Sequence, residues 1–107
     1  MKIFVASDGF NVSNRFVESD NFNFYTTESY EIIGAQNLPA QIFTTEEYAS
    51  FMNSLGADVL ICHDIDAADK DSFNSYAIDV VTGAEGPAIE AAQKYILQRS
   101  GSLEAIE

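Results

Sequence analysis

The sequence predicts an α/β domain built on a mixed five-stranded sheet with flanking helices. Three observations carry that expectation. Apolar, strand-like runs occur at 3–6, 59–62 and 78–81. A well-marked helical pattern from Thr44 to Gly56 leads directly into the second run, which is the order of a βαβ unit. Two further β-rich stretches, 21–27 and 29–37, read as an antiparallel hairpin. The apolar runs are expected to lie parallel to one another, with the hairpin extending the sheet on the other side of the first.

In chain order, Lys2 to Ser7 opens with Ile3, Phe4, Val5 and Ala6, a continuous apolar run that suits a central strand. Asp8-Gly9 ends it. Residues 10–21 mix Asn, Ser, Asp and Glu with Phe and Val, and predict a loop with a short helical turn near Ser13 to Phe16. The alternation in NFNFYTT places Phe22 and Phe24 on one face, and Thr27-Glu28-Ser29 joins this strand to the next. Pro39 stops the second hairpin strand. Thr44 and Glu47 have the spacing of a capping box. Tyr48, Phe51, Met52 and Leu55 form one apolar stripe on the helix that follows, and Gly56 ends it.

After the strand at 59–62, Asp64 or Asp66 is placed to cap a helix reaching about Ser75, with Phe73, Ala68 and Ala77 toward the sheet. Residues 77–82 form the last strand. Gly83 to Pro87 then turns into a final helix, with Pro87 at its first position. Ala88, Ala92, Tyr95, Ile96 and Arg99 lie along that helix, and Gly101 closes it. One domain spans 1–101, and 102–107 reads as a frayed tail.

Composition excludes some function classes. The chain has 107 residues, enough to bury about two-thirds of its unfolded surface around one core. It carries 5 Lys and Arg against 17 Asp and Glu, a net charge of −12. Such a surface repels nucleic-acid phosphates and anionic membranes, so neither is an expected partner. A basic protein partner is the chemically consistent one. A single cysteine allows no internal disulfide, and the N-terminal stretch lacks the apolar core of a secretory signal, so a cytoplasmic setting is expected.

The chemistry-bearing residues cluster in DVLICHDIDAADKD, residues 58–71. Cys62 and His63, the single cysteine and single histidine of the chain, stand at the end of a strand and lead into four aspartates. Open α/β sheets bind ligands at the carboxyl ends of their strands. A Cys62 thiolate suits a soft metal, an imidazole suits borderline ions, and Asp64 could add an oxygen ligand. Adjacent residues in a strand point to opposite faces, however, and Cys62 reads equally well as a small buried apolar side chain. The aspartates fail the calcium-loop spacing and suit helix capping. If the first and 59–62 strands are neighbours, Asp8 and Asp64 could approach as the carboxylates of a metal-dependent phosphoester hydrolase do.

Three segments resemble the dinitrogenase iron–molybdenum cofactor biosynthesis domain family. They are KIFVASDG with Val12-Ser13 and Phe16, GADVLIC at 56–62, and Ala77-Ile78-Asp79-Val80 followed by GAEG at 83–86. The resemblance implies a ribonuclease-H-like motif with strand order 3-2-1-4-5. It also implies a non-enzymatic role, in which a molybdenum- or iron-containing metal–sulfur cluster is held or passed between metallocofactor assembly proteins by a monomer or weak homodimer. The residues themselves offer Arg15, Cys62, Gly83 and Gly86 as candidate cofactor-binding positions, with Cys62, His63 and Asp64 as candidate metal ligands. An arginine can pair with an anionic ligand, and main-chain N–H groups of GAEG before a helix can cradle one. Arg15 stands where family members often have a histidine, and His63-Asp64-Ile65-Asp66 replaces a glycine-rich loop. An acidic adaptor without a ligand is the alternative.

Overall fold

The computed structural model describes residues 1–106, with side chains through Arg99. Its central strand is β1 (Lys2–Asp8). Ile3, Phe4, Val5 and Ala6 are each at most 1% exposed, which requires cover on both faces of the sheet. β1 pairs antiparallel with β3 (Asn21–Glu28) on one side and parallel with β5 (Val59–Ile61) on the other. β4 (Glu31–Pro39) lies outside β3, and β6 (Asp79–Val81) lies parallel outside β5. The order along the sheet is β4-β3-β1-β5-β6.

The sheet has six strands rather than the expected five, because β2 (Asn11–Val12) folds back on the end of β1. Two residues are too few to display a period, so this strand left no pattern in the sequence.

Side chains alternate along β1 between two cores. Phe4 and Ala6 face α1 (Thr45–Ser54) and α2 (Ala67–Asn74), through Ala49, Met52 and Phe73. Ile3 and Val5 face α3 (Ala88–Ile106), through Ala88, Ala92 and Ile96. The first core is rich in aromatic edge-to-face contacts. Phe4 meets Phe24 at 4.4 Å and Phe16 meets Phe73 at 5.4 Å, both close to perpendicular.

The α1 capping box forms as its spacing predicts. Thr44 Oγ1 accepts from the Glu47 N–H and Glu47 Oε1 accepts from the Thr44 N–H, each at 3.1 Å. The stripe on α1 is corrected in one position: Phe51 is 39% exposed, while Ala49, between its members, is fully buried. On α2, Phe73 is buried as expected, but Ala68 and Ala77 are exposed. Asp66 occupies the cap position without a side-chain capping bond.

Several boundaries also shift. The hairpin turns at Ser29-Tyr30, not at 27–29, and both residues take positive φ (53° and 66°), as the right-handed strand twist favours in a two-residue loop. The last strand starts at Asp79, since Ala77 has φ of 60° and cannot be extended. The short turn in the first loop is a 3₁₀ turn at Phe16–Glu18. Pro87 precedes α3 rather than opening it, and its carbonyl accepts from Ala91. α3 runs past Gly101. Side chains of the expected tail at 102–107 lie outside the described residues. Among the described residues no helix is long and apolar enough to cross a membrane.

Candidate functional site

The carboxyl ends of β1, β5 and β6 converge because the three strands run parallel or in register. The loops that leave them, 9–16, 62–66 and 82–87, are bonded to one another through the main chain. Phe16 N–H donates to Asp64 O, Val12 N–H to Gly86 O, and Gly83 and Ala84 N–H to the carbonyls of His63 and Cys62. Each loop is thus tied to both others. This closed set carries Arg15, Cys62, His63, Asp64, Gly83 and Gly86, so the sequence-predicted positions share one end of the sheet.

The side chains at that end do not share one site. Cys62 continues the alternation of β5 and packs into the aromatic core, fully buried. Its Sγ–H points to the Val81 carbonyl at 3.6 Å. Burial pushes the thiol up to about 11, helped by the Asp64 carboxylate and opposed by Lys70. At neutral pH the buried Cys62 is therefore a protonated thiol.

His63 takes the opposite side. Its ring is 37% exposed, with Nδ1 at 3.0 Å from the Ala84 carbonyl and 3.8 Å from Glu85 Oε1. A carbonyl can only accept, so the short contact requires hydrogen on Nδ1. In the neutral ring this leaves the lone pair on Nε2, the arrangement in which imidazoles ligate metals. Ala84 and Glu85 are the partners that sequence reasoning missed. GAEG was visible as a turn, but the approach of its carbonyl to an imidazole arises only when β5 and β6 pair.

The remaining positions are occupied by structural contacts. Arg15 is exposed and pairs loosely with Glu18 at 3.9 Å. Asp64 is exposed, and its carbonyl receives Phe16. Gly83 and Gly86 have φ of 83° and 79°, which favours glycine, but the Gly83 and Ala84 N–H groups are already used within the frame. Asp8 accepts from the Asp20 N–H at 3.1 Å. Among the described residues, no three of His, Cys, Asp and Glu come close enough to hold a metal ion. A cavity of about 510 Å³ lies beside the 82–87 loop, lined by Gly83, Glu85, Glu90, Lys94 and Tyr95. The residues present therefore fit a single imidazole ligand offered to an incoming group, and do not fit a ready-made thiolate or multi-carboxylate cage.

Comparison with known proteins agrees with this architecture. The crystal structure of PH0822 is similar at a TM-score of 0.81 and 25% identity, with 90% of each chain covered. A candidate dinitrogenase of Methanocaldococcus jannaschii gives 0.76 at 15% identity, covering 92% of this chain and 89% of that one. A candidate NifB protein from Thermotoga, of the DUF35 family, gives 0.71 at 20% identity over 88% and 85%. No curated protein matches. The family model described as dinitrogenase iron–molybdenum cofactor matches residues 1–98, and the chain belongs to that family.

Proposed function

We propose that this protein is a non-enzymatic cytoplasmic carrier. Its cargo is a molybdenum- or iron-containing metal–sulfur cluster, received from and passed to metallocofactor assembly proteins. His63 supplies the protein's ligand through Nε2. The observation that carries this reading is the 3.0 Å contact between His63 Nδ1 and the Ala84 carbonyl, which sets the tautomer on a half-open ring. Family membership over residues 1–98 supports the class of cargo. A single ligand suits a carrier, because a cargo that must be released gains nothing from a closed cage. The ribonuclease-H-like motif belongs to the same reading, and the parallel β1-β5-β6 ends supply its platform. Cys62 takes no part while it stays buried and protonated.

Anaerobic reconstitution with iron, molybdate and sulfide tests this, followed by gel filtration, absorption spectra and metal analysis. The native chain and Cys62→Ala are expected to retain cluster, and His63→Ala to lose most of it. Equal retention by His63→Ala removes the ligand assignment, and no retention by the native chain removes the carrier reading. Glu85 lies 3.8 Å from the ring, so an anionic cluster is expected to load better as salt rises and screens the like charge.

A further inference from the structure

A second surface, in which His63 takes no part, is built from the loop before α1 and from Phe16 and Val17. An apolar hollow and a more polar one adjoin there and share Phe22, Gln41, Phe43 and Tyr48 as their common wall. The first is about 230 Å³ and is floored by the buried Phe4 and Met52. The second is about 210 Å³, beside Phe16 and Val17. Around them Val17, Ile42, Phe43 and Phe51 are exposed by 59%, 104%, 38% and 39%. Four large apolar side chains gathered on one surface mark a contact site more often than scattered exposure does. The loop is held in place: Tyr48 Oη accepts from the Gln41 N–H at 2.7 Å and donates to the Gln41 carbonyl at 2.6 Å.

We infer that this paired hollow docks a basic amphipathic helix of a partner protein. Size argues first. The apolar hollow is smaller than the roughly 300–1,000 Å³ typical of small-molecule sites, but suits an aliphatic side chain. An amphipathic helix presents an apolar anchor beside polar residues, which the polar hollow lined by Ser19, Gln41 and Thr45 can meet. Charge argues second. Glu18 and Asp20 bracket the lining residue Ser19, and Glu46 and Glu47 lie between Thr45 and Tyr48; all four are exposed. No lysine or arginine lines either hollow. An apolar seat with acidic flanks complements lysines or arginines beside the anchors, whereas a second copy of this chain would bring the same acidic flanks against it.

The test uses the full chain, isotope-labelled for NMR, and a synthetic leucine–lysine amphipathic helix of about five turns. A scrambled peptide of the same composition is the control for charge alone. The expected result is a set of shifts grouped at 16–22 and 38–52, with the scrambled peptide at least about tenfold weaker. Phe43→Asp should weaken binding to a similar degree. Ile42→Asp, which changes a side chain wholly outside the core, should weaken it without disturbing the fold. Equal binding of the scrambled peptide, shifts elsewhere, or indifference to both variants overturns the proposal. So does sedimentation of the chain alone as a dimer that Ile42→Asp dissolves, which would give the surface to a second copy. His63 lies in neither hollow, so failure of cluster loading leaves this result unaffected.

Discussion

Cys62 and His63 are chain neighbours at the same strand end, yet they occupy different chemical worlds. One thiol lies among Phe4, Phe16 and Phe73 with no exposed surface, and burial keeps its proton on. One residue later, an imidazole sits half in solvent with its tautomer set by a main-chain carbonyl. The difference comes from the two-residue period of the strand, not from the residue types. A cysteine beside a histidine suggests a joint ligand set in sequence. In the fold the pair divides into one packing residue and one exposed base.

The sharpest way to break this contrast is to damage the side that Cys62 occupies. Phe73→Ala empties a fully buried ring position beside the thiol and is expected to cost about 3–5 kcal/mol in denaturant unfolding. A loss below about 1 kcal/mol would mean that this side is not a packed core. Alkali probes the thiol itself. Its folded value lies above its ordinary 9.0, so the folded state holds the proton more tightly. The associated stability is fully present below about pH 9 and is lost as pH rises toward 11. That loss is about 2–3 kcal/mol, and Cys62→Ala should remove it from the pH profile. Tyr25, also raised by burial, would leave a smaller alkaline slope in that variant. The smallest effect belongs to the other side: His63→Ala should change stability by no more than about 0.5 kcal/mol while losing most of the cluster. A large destabilisation there would make His63 a structural residue.

Sequence patterns reached the fold where the physics is local or strongly periodic. The capping box of Thr44 and Glu47, the apolar core of β1 and the placement of Phe73 all follow from spacing alone. They failed where tertiary contact decides. Nothing in Ser29-Tyr30 announces two left-handed residues, because the twist of the flanking strands imposes them. Phe51 matched the helical period but sits at the margin of the stripe, and small Ala49 took the protected place. At the site, alternation foretold that Cys62 and His63 diverge. The partner that orients His63 was not readable, since it comes from a carbonyl twenty-one positions away.

The closed set of main-chain hydrogen bonds among loops 9–16, 62–66 and 82–87 has a consequence for how this site can vary. Each of its bonds joins peptide groups that nearly every residue possesses. The frame is therefore largely blind to what it displays. Arginine at 15, or acidic residues at 64 and 66, can be mounted or exchanged without rebuilding the bracket beneath them. Geometry and chemistry are separately adjustable here, so a chain can keep the shape of its family while rewriting what that shape is willing to hold.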